Sequence, residues 1–157
     1  MSPAPPDQRA MGIDLGEARV GVAVADALGM LAHPRETIKV GPKGDKAVVA
    51  RIVEIVRADR ISVVVLGLPR NMNGTEGPAA AKARAFADKL RAATGCEVRL
   101  QDERLTTVAA HKALQAGGRN AKQGRAVIDQ AAAQIILQTY LDAQALRQAE
   151  PPLDDLA

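Results

Sequence analysis

Three carboxylates stand in this sequence where carboxylates are costly. Asp14 interrupts the apolar run Met11-Gly-Ile-Asp-Leu-Gly16, Glu103 lies in Gln101-Asp-Glu-Arg-Leu-Thr-Thr107, and Asp129 lies in Val127-Ile-Asp-Gln-Ala-Ala-Ala133. A carboxylate inside a strand needs a partner, a metal or an exposed strand end. Asp129 shares its helical face with Ala133, Ile136 and Tyr140, so it borders the side that would turn to a sheet. The alanines at 131–133 would let that helix press close to the strands, and the three acids could then meet at one sheet edge. Such a set suits Mg²⁺ or Mn²⁺, which prefer hard oxygen ligands. Two ions of this kind about 4 Å apart clamp the attacking and leaving oxygens of an in-line phosphoryl transfer. Hydrolysis of that type leaves 5′-phosphate and 3′-hydroxyl ends.

Each acid also has a plainer alternative. Asp14 could accept hydrogen bonds in a tight Asp-x-Gly turn. Asp129 could pair with Arg125 one turn earlier, although that charge order is the weaker one on a helix. Glu103 could pair with Arg104. Two further carboxylates fall outside the set. Asp26 ends the second strand, about five residues at ~3.3 Å each from Asp14, and Asp102 faces away from Glu103 in extended backbone. Both belong to structural or supporting roles.

The elements that must position these acids follow from apolar periodicity. Residues 11–15 and 19–25 are short apolar runs joined through Gly16-Glu17-Ala18, a hairpin signature. Residues 31–40 form a third strand that contains a proline, best placed where a lost donor matters least. Helical spacing of Val48, Val49, Ile52, Ile55 and Val56 predicts a helix over 45–58. The β-branched run 62–67 predicts a strand buried on both faces. A Gly/Asn/Pro loop (68–77), a helix (78–93) and a strand (96–101) follow. Thr106 or Thr107 can cap a helix ending at Gly117-Gly118, and a long helix runs from about Gly124 to Gln148. Three antiparallel strands followed by parallel strands alternating with helices imply one α/β domain, a mixed five-stranded sheet flanked by helices. That is the ribonuclease H-like layout, which actin-like kinases share at their start. The expected organisation is a disordered, Pro-rich leader at 1–9, the folded domain at 10–149 and an acidic tail at 150–157.

Composition narrows the partners. The chain has 157 residues, 47% of them apolar and 25% charged, with a net charge of +3. No apolar run approaches a membrane span, the first residues lack the apolar core of a secretory signal, and the lone Cys96 can form neither a disulfide nor a zinc site. A cytoplasmic, membrane-free protein is expected. One Phe, one Tyr and no Trp all but exclude reading of single strands by base stacking. Between Glu103 and Asp129 lie Arg104, Lys112, Arg119, Lys122 and Arg125 with no acid among them, which suggests phosphate contact beside a cation site.

At these residues the sequence resembles the YqgF/RuvX family of pre-16S rRNA nucleases, also called Holliday-junction-resolvase-like. The matching pieces are Met11-Gly-Ile-Asp-Leu-Gly-Glu-Ala-Arg-Val-Gly-Val-Ala-Val-Ala-Asp26, Gly67-Leu-Pro-Arg-Asn-Met-Asn-Gly-Thr75, Asp102-Glu-Arg-Leu-Thr-Thr107 and the stretch Ile128–Asp142. They occur in order over nearly the whole folded chain. The resemblance implies a ribonuclease H-like fold, with Asp14, Glu103 and Asp129 as metal-binding catalytic acids. It also implies trimming of the 5′ end of precursor 16S rRNA during ribosome maturation, hence contact with ribosomal particles. Two departures stand out: the residue after the last Asp, often Ser in the family, is Gln130. The place of a fourth carboxylate in related junction resolvases falls here at Ala132 or Ala133.

The nucleic-acid contacts expected beside the acids are Arg19, Arg70, Asn73, Arg104, Thr106, Arg119, Lys122 and Arg125. Arg19 follows the hairpin turn, near enough to Asp14 to bind that carboxylate or a scissile phosphate. The loop Arg70–Thr75 lacks the Gly-Lys-Ser/Thr of a P-loop, so it suits a nucleic acid or a helix cap and not a nucleotide. His33 and His111 have no second histidine at ligand spacing and are structural. The reading is an Mg²⁺- or Mn²⁺-dependent nuclease on precursor rRNA, a monomer or weak homodimer. Its rivals are a junction resolvase on branched DNA, which needs two sites in a dimer, and a non-catalytic RNA-binding assembly factor. A sugar kinase fails on length.

Overall fold

The computed structural model describes residues 9–106 and 121–149, with backbone alone at 105 and 121–127. Its elements are β1 (Arg9–Leu15), β2 (Arg19–Ala25), β3 (Ala32–Lys39), α1 (Asp45–Ala58), β4 (Ile61–Leu68), α2 (Pro78–Thr94), β5 (Glu97–Asp102), a 3-10 turn (Glu103–Leu105) and α3 (Ala121–Ala149). The strands lie in the order β3-β2-β1-β4-β5. The first three pair antiparallel, and β1–β4 and β4–β5 pair parallel. β1 begins at Arg9, one residue inside the expected leader. Residues 1–8, the tail at 150–157 and the expected helix over 107–118 lie outside the described residues.

Strict alternation along the strands divides the core into two unlike halves. On one face Met11, Ile13, Val20, Val22, Val24, Val64, Leu66 and Leu68 pack against the apolar stripes of α1 and α2, with Ile52, Ile55, Phe86 and Leu90 at the contact. The other face is built of small residues: Ala10, Gly12, Gly21, Ala23, Ala25, Ala32 and Gly67, with Val65 the largest fully buried strand residue. Among the described residues, α3 alone covers it, through Ala132, Ala133, Ile136, Leu137 and Leu141. The missing side chains set the closeness of that packing. A Cβ on Gly12 would stand 2.6 Å from the Leu137 Cβ and 2.7 Å from the Ala133 carbonyl. Ala132 and Ala133, one of which holds the place of the fourth carboxylate of related junction resolvases, are fully buried under this contact.

The edge strand β3 carries Pro34, beside a register slip that leaves Arg35 as an extra residue between the Val22–Glu36 and Ala23–Pro34 pairs. A bulge on an edge is where a proline does least harm. The open edge is then covered by glutamines spaced four apart on α3. Gln134 donates to the Ala32 carbonyl at 3.0 Å, and Gln138 accepts from the Ala32 N–H at 2.8 Å and donates to the Met30 carbonyl at 2.9 Å. At the other end of the sheet, α2 starts on Pro78 and stops at Gly95, whose φ of 72° is the left-handed cap a glycine supplies. Cys96, just before β5, packs partly buried on the larger core half. Among the described residues, no helix is long and apolar enough to cross a membrane.

Candidate active site

Asp14 is 2% exposed, and among the described residues it is the only buried polar or charged side chain. It lies on the α3 face of β1, in line with Ala10 and Gly12. Its antiparallel partner on β2 is Gly21, and paired residues present their side chains to the same face. At Gly21 that face is filled by the backbone carbonyl of Asp129, so the first half of α3 rests on β2 directly beside Asp14. On the other side the parallel register pairs Ile13 with Leu66, which brings Gly67 alongside Asp14. A Cβ on Gly67 would stand 2.6 Å from Glu103 Oε1 and 2.7 Å from Ile136 Cδ1. Strands lie about 4.8 Å apart. Glu103 therefore overhangs the strand on one side of Asp14, and Asp129 sits over the strand on the other, all on one face near the same ends of β1 and β4.

Each acid is positioned by a different local device. Asp14 is placed by strand register. Glu103 opens a 3-10 turn that Asp102 caps by accepting the Arg104 N–H at 2.9 Å, and Thr106 closes that turn by donating its N–H and hydroxyl to the Glu103 carbonyl at 3.1 and 2.8 Å. Asp129 is placed by the seating of α3 on Gly21 and by its neighbour Gln130, whose amide donates to the Thr37 hydroxyl on β3 at 3.1 Å. Arg19, two residues before Gly21 on the same face, donates from Nε to Asp129 Oδ2 at 2.7 Å. The pair is only partly open to water, with side chains 28% and 14% exposed. Among the described side chains, Asp129 pairs with Arg19 across 110 residues of sequence. Among the described residues, no three His, Cys, Asp or Glu side chains converge as a metal-holding group.

The family model described as "RuvX: Holliday junction resolvase" matches residues 8–143. The chain belongs to the RuvX family. A relative in a Nocardioides species, named "Putative pre-16S rRNA nuclease", is 49% identical over 144 residues, covering 90% of this chain and 92% of that one. A Lactococcus lactis relative of the same name is 45% identical over 139 residues, covering 88% and 97%. Among solved structures, Thermus thermophilus RuvC in complex with a Holliday junction substrate superposes with a TM-score of 0.53 at 17% identity, covering 88% of this chain and 96% of that one. The fold of this RuvX chain is accordingly ribonuclease H-like, as the element order predicts.

The expected nucleic-acid contacts are spread over two borders of this RuvX site. On the Glu103 side, the Arg104 guanidinium bonds to the Asp102 carboxylate, Nη2 to Oδ2 at 2.8 Å. That contact, with further help from the Arg104 N–H and Arg70, holds Asp102 below its ordinary pKa against the opposing effect of burial. Arg70 reaches both Asp102 and Glu76 at a loose 3.4 Å, while its buried Nε has no hydrogen-bond partner among the described residues. Asn73 accepts from the N–H and hydroxyl of Thr75, folding the loop 70–76 on itself, and Gly74 lies against the Arg104 guanidinium. The loop does not cap α2: the residue preceding that helix is Gly77, with no side-chain cap. On the Asp129 side, Lys122 and Arg125 stand in the first turns of α3, where backbone alone is described, and Arg119 lies outside the described residues.

Two contributors escaped the sequence reading, the Gln130–Thr37 bond and the glutamine row. The spacing 130, 134, 138 was the available signal, since i, i+4 positions share a helix face.

Proposed function

We propose that this RuvX chain is a metal-dependent nuclease whose site is Asp14, Glu103 and Asp129, acting on RNA in the 5′-end maturation of precursor 16S rRNA. One observation carries this reading: a buried carboxylate has glycine beside it on both neighbouring strands, and the space of the two missing side chains is taken by the other two acid-bearing residues. A core aspartate needing only a structural partner would not require both neighbours to be glycine.

The donor set fits Mg²⁺ or Mn²⁺ in its chemistry, being three hard carboxylates on one face with no sulfur or imidazole among them. Asp14 would be the fixed ligand, with Glu103 and Asp129 closing on it from the two sides. A bound ion would supply positive charge and Lewis acidity to the phosphate. The chain's own part is to hold, orient and neutralise. The turn of Asp102–Thr106 sets the Glu103 carboxylate, and the seating of α3 sets Asp129. Arg70 and Arg104 beside the Glu103 turn and Arg19 beside Asp129 are assigned as phosphate contacts, together with Asn73, Thr106, Arg119, Lys122 and Arg125. Water attacks phosphorus, the bond to the 3′-oxygen breaks, and that oxygen leaves with a proton as the 3′-hydroxyl while the phosphate stays on the 5′ end. With one Phe, one Tyr and no Trp to stack on, selection rests on backbone shape and charge.

The names of the relatives support precursor rRNA as substrate; ribosomal particles as the setting and the cytoplasm as the compartment are part of the proposal that goes with that substrate. All three acids come from one chain, so a monomer carries a complete site. The family's description favours a second reading, cleavage of branched DNA. One experiment separates them. Wild type and Asp14→Asn receive, with Mn²⁺ and then Mg²⁺, a labelled RNA spanning the 16S 5′ leader and a mobile four-way DNA junction. The expected result is metal-dependent RNA cleavage, lost in a folded Asp14→Asn protein, with the junction left intact. Paired symmetric cuts in the junction would replace RNA by branched DNA. Binding of RNA without cleavage would overturn the nuclease.

A further inference from the structure

Arg19 meets Asp129 at a point where neither backbone has much freedom. Asp129 rides on the part of α3 seated on Gly21, and Gln130 ties the same turn to Thr37. Arg19 is the first residue of β2, on the α3 face, so its side chain lies along the site and not away from it. The contact is a single hydrogen bond from Nε to Oδ2 at 2.7 Å. Next to it in the chain, Glu17 and Ala18 of the hairpin turn are exposed, which leaves the guanidinium an open side towards solvent.

The electrostatics of the face explain why a cation belongs there. Carboxylates on one face around the buried Asp14 repel one another, and the repulsion grows as water is excluded. Arginine is protonated at every relevant pH and supplies one compensating charge. A divalent ion supplies two and needs the carboxylate oxygens as ligands. The same guanidinium is also shaped to take phosphate oxygens in a forked contact. The two demands on Asp129 compete, and the open side of Arg19 gives it somewhere to go.

We propose that Arg19 is the resident counter-ion of the metal-free site, which holds Asp129 until a divalent ion binds and then turns its guanidinium to the substrate phosphate. This rests on the metal-site reading above. Arg19 is thereby a positioning residue whose removal has opposite effects on ion and on substrate. Arg19→Met keeps the alkyl stem and deletes the competitor, so Mn²⁺ should bind about fivefold more tightly, which corresponds to about 1 kcal/mol at 1.4 kcal/mol per tenfold. RNA binding in the presence of the ion should weaken in the same variant.

The test measures Mn²⁺ affinity by calorimetry on wild type, Arg19→Met and Asp14→Asn, with no nucleic acid present. Tighter binding by Arg19→Met together with lost binding by Asp14→Asn is the expected pattern. Equal or weaker binding by Arg19→Met, with Asp14→Asn still defective, overturns the counter-ion and leaves the metal site standing. Unchanged binding by Asp14→Asn overturns the metal-site reading and the counter-ion with it. The wild-type protein gives a second measurement that needs no substitution to fold. The Arg19 Nε–H resonance, held by its hydrogen bond in the metal-free protein, should shift and exchange faster with water on saturation with diamagnetic Mg²⁺. A resonance that stays fixed while Mg²⁺ binds overturns the proposal.

Discussion

Gly67→Ala tests the placement of Glu103 more sharply than removal of the carboxylate would. Gly67 is buried on β4 beside Asp14, and its φ is not positive, so the backbone accepts alanine without strain. The new methyl would arrive 2.6 Å from Glu103 Oε1, against the 3.4 Å at which ordinary contact begins, so the carboxylate must retreat by about 0.8 Å. The second neighbour, Ile136 Cδ1 at 2.7 Å, is also the far end of a flexible side chain and can turn aside. Overpacking of this kind costs about 2 kcal/mol, a fall in Tm of about 4–8 °C for a chain of this size. The protein should therefore fold. A displacement approaching 1 Å at a catalytic group, however, costs about a hundredfold in rate. Cleavage of the leader RNA and thermal unfolding, measured on the same preparation, separate the two effects. Gly41→Ala is the control: nothing lies within 4 Å of its added Cβ, and both readouts should stay at wild type. A folded Gly67→Ala protein with undiminished cleavage would refute the assignment of Glu103 to the site, because its carboxylate cannot remain where it is.

Three further outcomes follow from other contacts. Arg125→Ala should weaken RNA binding mainly at moderate salt and lower the slope of log affinity against log salt by about one; a filter-binding series with an unchanged slope would remove Arg125 from the phosphate contacts. Gln138→Ala removes the partner of the Ala32 N–H on the edge strand and should cost about 1 kcal/mol, read as a lower denaturant midpoint at constant slope. Asp102 titrates below its ordinary 3.8 because the folded protein gives it the Arg104 and Arg70 guanidiniums. A depressed carboxyl contributes stability that is complete above the unfolded value and is lost as pH falls through the folded one. Asp102→Asn, which can still accept the Arg104 N–H as a cap, should accordingly lose stability at neutral pH and flatten the acid limb below about pH 4; parallel pH–stability curves for the two proteins would contradict this.

Most of the architecture was legible because its signals are local. The alternation of Val20, Val22 and Val24 against Gly21, Ala23 and Ala25, the helical spacing of Val48, Ile52 and Ile55, and Pro78 before an alanine-rich run each name an element without reference to the rest. Helix α1 falls on the expected residues, and most other boundaries shift by one or two, since ends fray into turns whose hydrogen bonds no propensity fixes. Asp14 was legible for a different reason. A carboxylate amid Met11, Ile13 and Leu15 violates the pattern around it, and such violations mark sites.

The contacts that decide how those acids are held were not legible, because they depend on register between elements far apart in the chain. Arg19 was assigned to the neighbourhood of Asp14, four residues past it across a hairpin turn, and that reasoning is sound for the backbone. What it omits is Asp129: the α3 backbone occupies Gly21, which brings the Asp129 carboxylate within reach of the arginine. The same holds for Arg104, whose guanidinium turns back to Asp102 two residues earlier, forming a charge pair within its own turn. In each case a basic residue beside an acid could be counted from the sequence, but its partner could not. The partner is whichever carboxylate the fold brings within reach, and that is a property of the assembled sheet and helix. Small residues carry the other half of that information. Gly12, Gly21 and Gly67 share one face of three adjacent strands, and any one of them taken alone passes for a turn-former or a weak strand residue. Taken together, with α3 alanines opposite, they specify how deeply a helix sinks onto the sheet, and that depth is what brings Asp129 to Asp14.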